Sequence, residues 1–138
     1  VCNNVELMET FAETLGCIFN IMFSINNFNL FYKNLKKEIQ FSYHQSALML
    51  KINNMTFEDL TSGDKKFYEE TNVIAYYILK LLLIKNLHTF MKHPDNILDI
   101  LNKSIKNKKI NNRINHYIVK INSNNKINYS GRMTLKYY

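Results

Sequence analysis

The sequence predicts a mostly α-helical domain with a small C-terminal β-hairpin, at the margin of the α+β class. Apolar residues recur at three- and four-residue steps near the N-terminus and around residues 67–87, which is typical of amphipathic helices. After residue 116, apolar and polar residues alternate instead, which is typical of a strand. The chain has 138 residues, of which 46% are hydrophobic, so it is long enough for a single core.

The first predicted helix covers residues 5–31. Asn3 or Asn4 can cap it, and one apolar face repeats along it, formed by Leu7, Phe11, Leu15, Ile18, Met22 and Ile25. Residues 14–32 carry no charge and approach the length of a membrane span. The asparagines within that stretch would be costly in lipid. We therefore expect a buried core helix, with a membrane span and an interfacial helix as open alternatives.

The segment that follows is less regular. Residues 33–45 are mixed in character and predicted to be helical at their start, whereas residues 41–54 fit either a short helix or a strand. Thr56-Phe-Glu-Asp59 resembles a capping box, in which two side chains bond to each other's backbone N–H at a helix start. A new helix is therefore expected to begin near residue 56.

A long helix is predicted over residues 64–93, and Lys80 and Lys85 interrupt its otherwise apolar run. Pro94 should end this helix and open a short amphipathic one over residues 94–105. We expect the first and the long helix to meet in one core. The residues predicted to be buried in mutual contact are Phe11, Leu15, Ile18, Ile74, Ile78, Leu81 and Leu82.

The last quarter of the chain has a different composition. Residues 106–115 are nearly all Lys, Asn and Ile, which predicts a solvated linker or a fraying helix end. The alternation over residues 117–121 predicts a first strand, residues 123–126 a turn, and the apolar positions beyond it a second strand. The expected organisation is a helical domain of residues 1–105, with a basic linker and hairpin of residues 106–138 packed on it.

Charge is distributed unevenly along the chain, whose net charge is +7. Before Lys33 the only charged residues are Glu6, Glu9 and Glu13, whereas from Lys92 onward ten basic residues face two acidic ones. Such an uneven charge distribution indicates what kind of partner a protein binds more than it indicates the fold. The abundance of Asn, Ile, Lys, Phe and Tyr also fits the codon bias of an AT-rich genome. A solvated lysine-rich surface without function is therefore the alternative to a binding surface.

No catalytic or metal-ligating pattern is present. The four histidines are scattered, and His88 and His93 are five residues apart rather than the four that put two ligands on one helix face. Three glycines are too few for a phosphate-cradling loop of the usual kind. Cys2 and Cys17 leave the redox state open. We therefore expect no enzymatic activity, no cofactor and no metal.

The basic C-terminal third holds the candidate functional residues. Cationic side chains that neutralise phosphates, beside aromatic rings that stack on bases, are what binding to RNA or single-stranded DNA requires. The predicted nucleic-acid-binding residues are Lys103, Lys106, Lys108, Lys109, Arg113, Tyr117, Tyr129 and Arg132.

Two segments resemble known families. A helix, basic residues, a strand and then Ser130-Gly131-Arg132 resemble the end of a small-subunit ribosomal protein, which implies contact with RNA. In the first ninety residues, a charged loop with Phe57-Glu-Asp-Leu60 and the pair Glu69-Glu70 lies between apolar segments. That layout is similar to part of an insect odorant receptor, which implies a membrane protein.

The leading functional hypothesis is a small non-catalytic binding or structural protein whose basic C-terminal third contacts a polyanion. RNA in an organellar or parasite ribonucleoprotein is the polyanion that fits best. One alternative is a membrane-associated chain or receptor fragment. Another is a secreted or viral helical module that binds a host protein through an apolar helix groove.

Overall fold

A computed structural model describes residues 12, 14–16, 28–62 and 73–123 of the chain. These residues are predominantly helical and include no strand, which confirms the mostly α class. The helices are α1 (Phe28–Ile52), α2 (Phe57–Ser62), α3 (Val73–Lys85), α4 (Leu87–Lys92), α5 (Ile97–Ile105) and α6 (Lys108–Ser123), with a 3₁₀ turn at Pro94–Asn96 between α4 and α5.

Four of these helices form a closed cycle of contacts. Helix α1 packs on α3 and α6, and α5 also contacts both of these helices. Every residue of α3 from Tyr77 to Ile84 is buried. A helix that is buried on all sides needs an almost continuously apolar sequence, and α3 has one apart from Lys80.

The predicted core is confirmed where it can be observed. Ile78, Leu81 and Leu82 are buried in one cluster, and Leu15 packs against it from the N-terminal segment. Phe11, Ile18 and the side chain of Ile74 lie outside the described residues. The same cluster includes residues from the other helices, among them Tyr43, Leu48, Leu50, Phe57, Phe90, Ile100, Ile110 and Ile114.

Helix α1 extends beyond the end that the sequence predicts for it. The expected helix end at residue 31 is wrong, since α1 is 25 residues long and reaches Ile52, so it takes in the ambiguous segment as helix. Its buried side explains the difference. Four of the residues that it buries are polar (Glu38, Ser42, Gln45 and Ser46), so a search for apolar periodicity does not find them.

Local hydrogen bonds fix the end of α1 and the start of α2. Asn54 has a φ of 53°, the left-handed conformation that often ends helices and that asparagine tolerates. The Met55 amide then donates to the Leu50 carbonyl (2.8 Å). The predicted capping box is confirmed, because Asp59 N donates to Thr56 Oγ1 (3.2 Å) and Thr56 N donates to Asp59 Oδ2 (2.8 Å).

The long helix predicted over residues 64–93 is wrong as a single element, because the described part of it breaks at Asn86. The Asn86 side-chain amide donates to the Leu82 carbonyl (2.7 Å) and to Ser104 Oγ (2.6 Å). An asparagine that bonds to the backbone in this way competes with helix continuation. The predicted stop at Pro94 is confirmed, since α4 ends at Lys92 and Pro94 opens the 3₁₀ turn that leads into α5.

The largest correction concerns the region after residue 106. The linker predicted over residues 106–115 and the strand predicted over 117–121 are wrong, because residues 108–123 form α6. Ile110, Ile114 and Ile121 recur at helical steps and are buried, whereas Val119, an inward position of the expected strand, is 65% exposed. Residues 124–138 lie outside the described residues, so a hairpin there stays a prediction.

Candidate nucleic-acid interface

The start of α6 is fixed by a side-chain cap. Asn107 Oδ1 accepts hydrogen bonds from the backbone N–H groups of Lys109 (2.9 Å) and Ile110 (3.4 Å), which places Asn107 at the cap position. The first turn of α6 therefore begins with Lys108 and Lys109. Two positive charges stand beside the positive end of the helix dipole, where acidic residues are favoured instead.

One side of α6 is apolar and packed on the core, and a neighbouring side is basic and exposed. Lys109, Arg113, His116 and Lys120 follow one another at steps of four, three and four residues, so they share one side of the helix. All four side chains are exposed, and we refer to them as the basic face. The sequence places no Asp or Glu in α6 or anywhere after Asp99.

A pair of tyrosines borders the basic face. The rings of Tyr43 in α1 and Tyr117 in α6 are parallel to within 3°, with their centroids 5.7 Å apart. Tyr43 is 1% exposed and belongs to the core cluster, and Tyr117 is half-buried against it. The stacked pair therefore anchors α6 to α1 at the edge of the exposed surface.

Three cations surround this tyrosine pair. Arg113 Cζ lies 5.2 Å and Lys85 Nζ 5.9 Å from the centroid of the Tyr43 ring, and Lys120 Nζ lies 5.5 Å from the centroid of the Tyr117 ring. The His116 ring meets Tyr117 edge-on. Cations over aromatic faces are held without being neutralised, so the charges of Lys85 and Arg113 stay available to an anion.

The burial of Tyr43 also affects its ionisation. Loss of solvent raises the pKa of the Tyr43 phenol above its ordinary value of 10.0, while the Arg113 charge acts in the opposite direction and Tyr117 adds a smaller increase. The ring beneath the cations is therefore neutral at physiological pH, and it presents its π face rather than a competing negative charge.

The predicted site residues fall on three structural elements. Lys103 lies on α5 and pairs with Asp99 on the surface (Nζ–Oδ2 3.6 Å), and Lys106 lies in the turn after α5. The structure brings Lys109, Arg113 and Tyr117 together on α6, and one ring face of Tyr117 is covered by Tyr43. Lys108 begins α6. Tyr129 and Arg132 lie outside the described residues.

Sequence reasoning missed three residues of this surface: Lys85, His116 and Lys120. The last two could have been found by extending the three- and four-residue spacing of Lys109 and Arg113 along a helix. Lys85 could not, because nothing local in the sequence brings the end of α3 to α6. Only the packing of Tyr43 between them does so.

Two kinds of feature are absent from the residues that the structure describes. No helix in this part of the chain is long and apolar enough to cross a membrane. No group of three His, Cys, Asp or Glu side chains in the described ranges is arranged to hold a metal ion. Comparison with known proteins found no matching family model, no matching curated protein and no matching solved structure.

Proposed function

We propose that this protein is a non-catalytic RNA-binding protein and that the basic face of α6 is its contact surface for the phosphate backbone. The observation that carries the proposal is the alignment of Lys109, Arg113, His116 and Lys120 on one exposed side of a helix without acidic residues. Random scatter of lysines by codon bias would place charges on every exposed side of α6.

The electrostatics of α6 support a role in binding rather than in stability. Lys108 and Lys109 weaken their own helix, because they stand at the end of the dipole that favours negative charge. The same arrangement strengthens the positive potential in front of the helix. From Lys109 to Lys120 the basic face extends about 16 Å at 1.5 Å per residue. Several consecutive phosphates of a single strand fit along that length.

RNA fits this surface better than a lipid surface does. A helix that lies in a membrane interface needs a free apolar side to insert. The apolar side of α6 is already used, since Ile110, Ile114 and Ile121 are buried in the core. Beside the cations on α6, the exposed side chains of Asn112 and Asn115 offer amide donors and acceptors. Such groups can bond to the unpaired base edges of single-stranded RNA.

The proposal is tested by the salt dependence of RNA binding. Binding of the whole chain to a mixed-sequence single-stranded RNA is measured by fluorescence anisotropy over a salt titration. Contacts from Lys109, Arg113 and Lys120 predict a log–log slope of about −2, from roughly −0.7 per phosphate on a single strand.

A parallel arm measures binding to vesicles that contain anionic lipid. We expect weaker binding there, because no apolar side of α6 is free. Weak, salt-insensitive RNA binding would contradict the proposal. Tighter binding to the vesicles than to the RNA would also contradict it and would assign the basic face to a membrane.

A further inference from the structure

We propose that Lys85 and Arg113 form a clamp that grips one phosphate group of the bound RNA, so that the interface extends from α6 onto the end of α3. The clamp rests on the proposed function, because it adds a specific subsite to the same surface. Its occupant is a phosphodiester of the RNA backbone.

The geometry that points to a clamp is the convergence of two cations on one ring. Lys85 is the last residue of α3 and Arg113 lies in the middle of α6, so the two are far apart in sequence and come from different elements. Lys85 Nζ and Arg113 Cζ nevertheless lie 5.9 Å and 5.2 Å from the same ring centroid, that of Tyr43. Because Tyr43 is fixed in the core, the two cations lie around one immobile ring and are at most about 11 Å from each other.

The charge of the two groups is not satisfied within the described part of the chain. Both side chains are exposed, and no described carboxylate pairs with either of them. Like charges held near one another repel, which is unfavourable unless an anion comes between them. A phosphate oxygen pair suits this arrangement, since the planar guanidinium of Arg113 can donate two parallel hydrogen bonds and Lys85 can supply a point charge.

A purely structural role for Lys85 predicts that its substitution does not affect RNA binding. A lysine in the last turn of a helix interacts favourably with the negative end of the dipole, so Lys85 could serve only to stabilise α3. Lys92 provides a matched comparison, because it is also an exposed lysine in the last turn of its helix, α4. Among the described residues, Lys92 makes no cation–π contact of the kind seen at Tyr43.

The test compares Lys85→Gln with Lys92→Gln in the same salt titration with single-stranded RNA. We expect Lys85→Gln to make the slope less negative by about 0.7, the value of one phosphate contact. Lys92→Gln should leave the slope unchanged, and Lys85→Arg should restore it. The Lys85→Gln and Arg113→Gln effects on affinity should be non-additive, because both residues hold the same phosphate.

The possible failures are distinguishable. Salt-dependent binding by the parent chain together with no effect of Lys85→Gln would leave the proposed function standing and overturn the clamp. Additive losses from the two substitutions would also overturn it, because they indicate separate phosphates. Absence of salt-dependent RNA binding by the parent chain would overturn the proposed function and the clamp with it.

Discussion

Lys80 and Glu38 form an ion pair inside the helical core, with Lys80 Nζ 2.5 Å from Glu38 Oε1. Their side chains are 2% and 0% exposed. The pair joins α3 to α1, and about two turns further along α1 the buried Ser46 Oγ donates to the Tyr77 carbonyl (3.2 Å). A polar stripe therefore runs through an interface that otherwise consists of apolar side chains, and it fixes how the two helices are aligned.

Removing one partner of this pair should be strongly destabilising. Glu38→Leu leaves the Lys80 ammonium without its carboxylate in the interior, which we expect to lower the free energy of unfolding by about 3–5 kcal/mol. Combining Glu38→Leu with Lys80→Met removes both charges, and we expect the double variant to regain most of that loss. Urea unfolding followed by circular dichroism measures both.

The exposed pair Lys103–Asp99 is the matched control for the buried one. Asp99→Ala should cost no more than about 1 kcal/mol, because water already solvates both charges. Equal effects of Glu38→Leu and Asp99→Ala would contradict the burial of the Lys80–Glu38 pair.

Truncation of the core should also be costly. Ile78 is 5% exposed and belongs to the cluster that joins the four main helices, so Ile78→Ala should lower the free energy of unfolding by about 2–5 kcal/mol. Val119, 65% exposed on α6, is the control, and Val119→Ala should change stability by less than about 0.5 kcal/mol. Similar losses for the two variants would contradict the packing described for α3.

The sequence was sufficient for features that depend on local chemistry. The capping box at Thr56, the stop at Pro94 and the buried positions Ile78, Leu81 and Leu82 are all local: each follows from spacing, a missing N–H or an apolar run. The sequence did not predict the extent of α1, because the buried side of that helix is lined by Glu38 and its polar neighbours. Their partners on α3 are not adjacent in sequence.

For the candidate site, the composition of the basic region was visible in the sequence but its arrangement was not. Over so short a window, the apolar–polar alternation at residues 117–121 fits a strand as well as a helix. The helix is favoured because it buries Ile114 and Ile121 against the core. Helical rather than strand periodicity places Lys120 on the same side of α6 as Arg113 and Lys109. The contribution of Lys85 depends on tertiary packing alone.

Tyr43 should give the fold a measurable alkaline pH dependence. Its pKa is raised in the folded state, chiefly by burial, so the folded protein keeps this proton more tightly than the unfolded chain. The corresponding stability is fully present below the unfolded pKa of about 10 and is lost as the pH rises through the raised value.

Unfolding free energies measured across that pH range test this expectation. Tyr43→Phe should make the decline shallower, because the substituted ring cannot ionise. An identical decline in the parent and in Tyr43→Phe would contradict the assignment of the raised pKa to Tyr43.

The lysines that open α6 should oppose stability and favour binding. Replacing Lys108 and Lys109 by Glu puts negative charge at the helix start, and we expect stability to rise by about 0.3–1 kcal/mol per residue at low salt. RNA binding should weaken in the same variant. Glu substitutions at Lys36 and Lys37, exposed in the interior of α1, are the control and should not give this stabilisation. A fall in both stability and binding would contradict the account of the first turn.

We propose that the arrangement of charge on α6, rather than the net charge of the chain, binds RNA. Two variants that each lose three positive charges separate these explanations. One carries Lys109→Gln, Arg113→Gln and Lys120→Gln in α6. The other carries Lys33→Gln, Lys36→Gln and Lys37→Gln at exposed positions of α1. Both lower the formal charge from +7 by the same amount.

The most direct measurement is the salt dependence of single-stranded RNA binding by these two variants beside the parent chain. We predict that the α6 variant loses most of its affinity and of its log–log slope of about −2, because its phosphate contacts are removed. The α1 variant should keep a slope close to that of the parent. Equal losses in the two variants would contradict the claim, because the positive charge would then act without regard to its position.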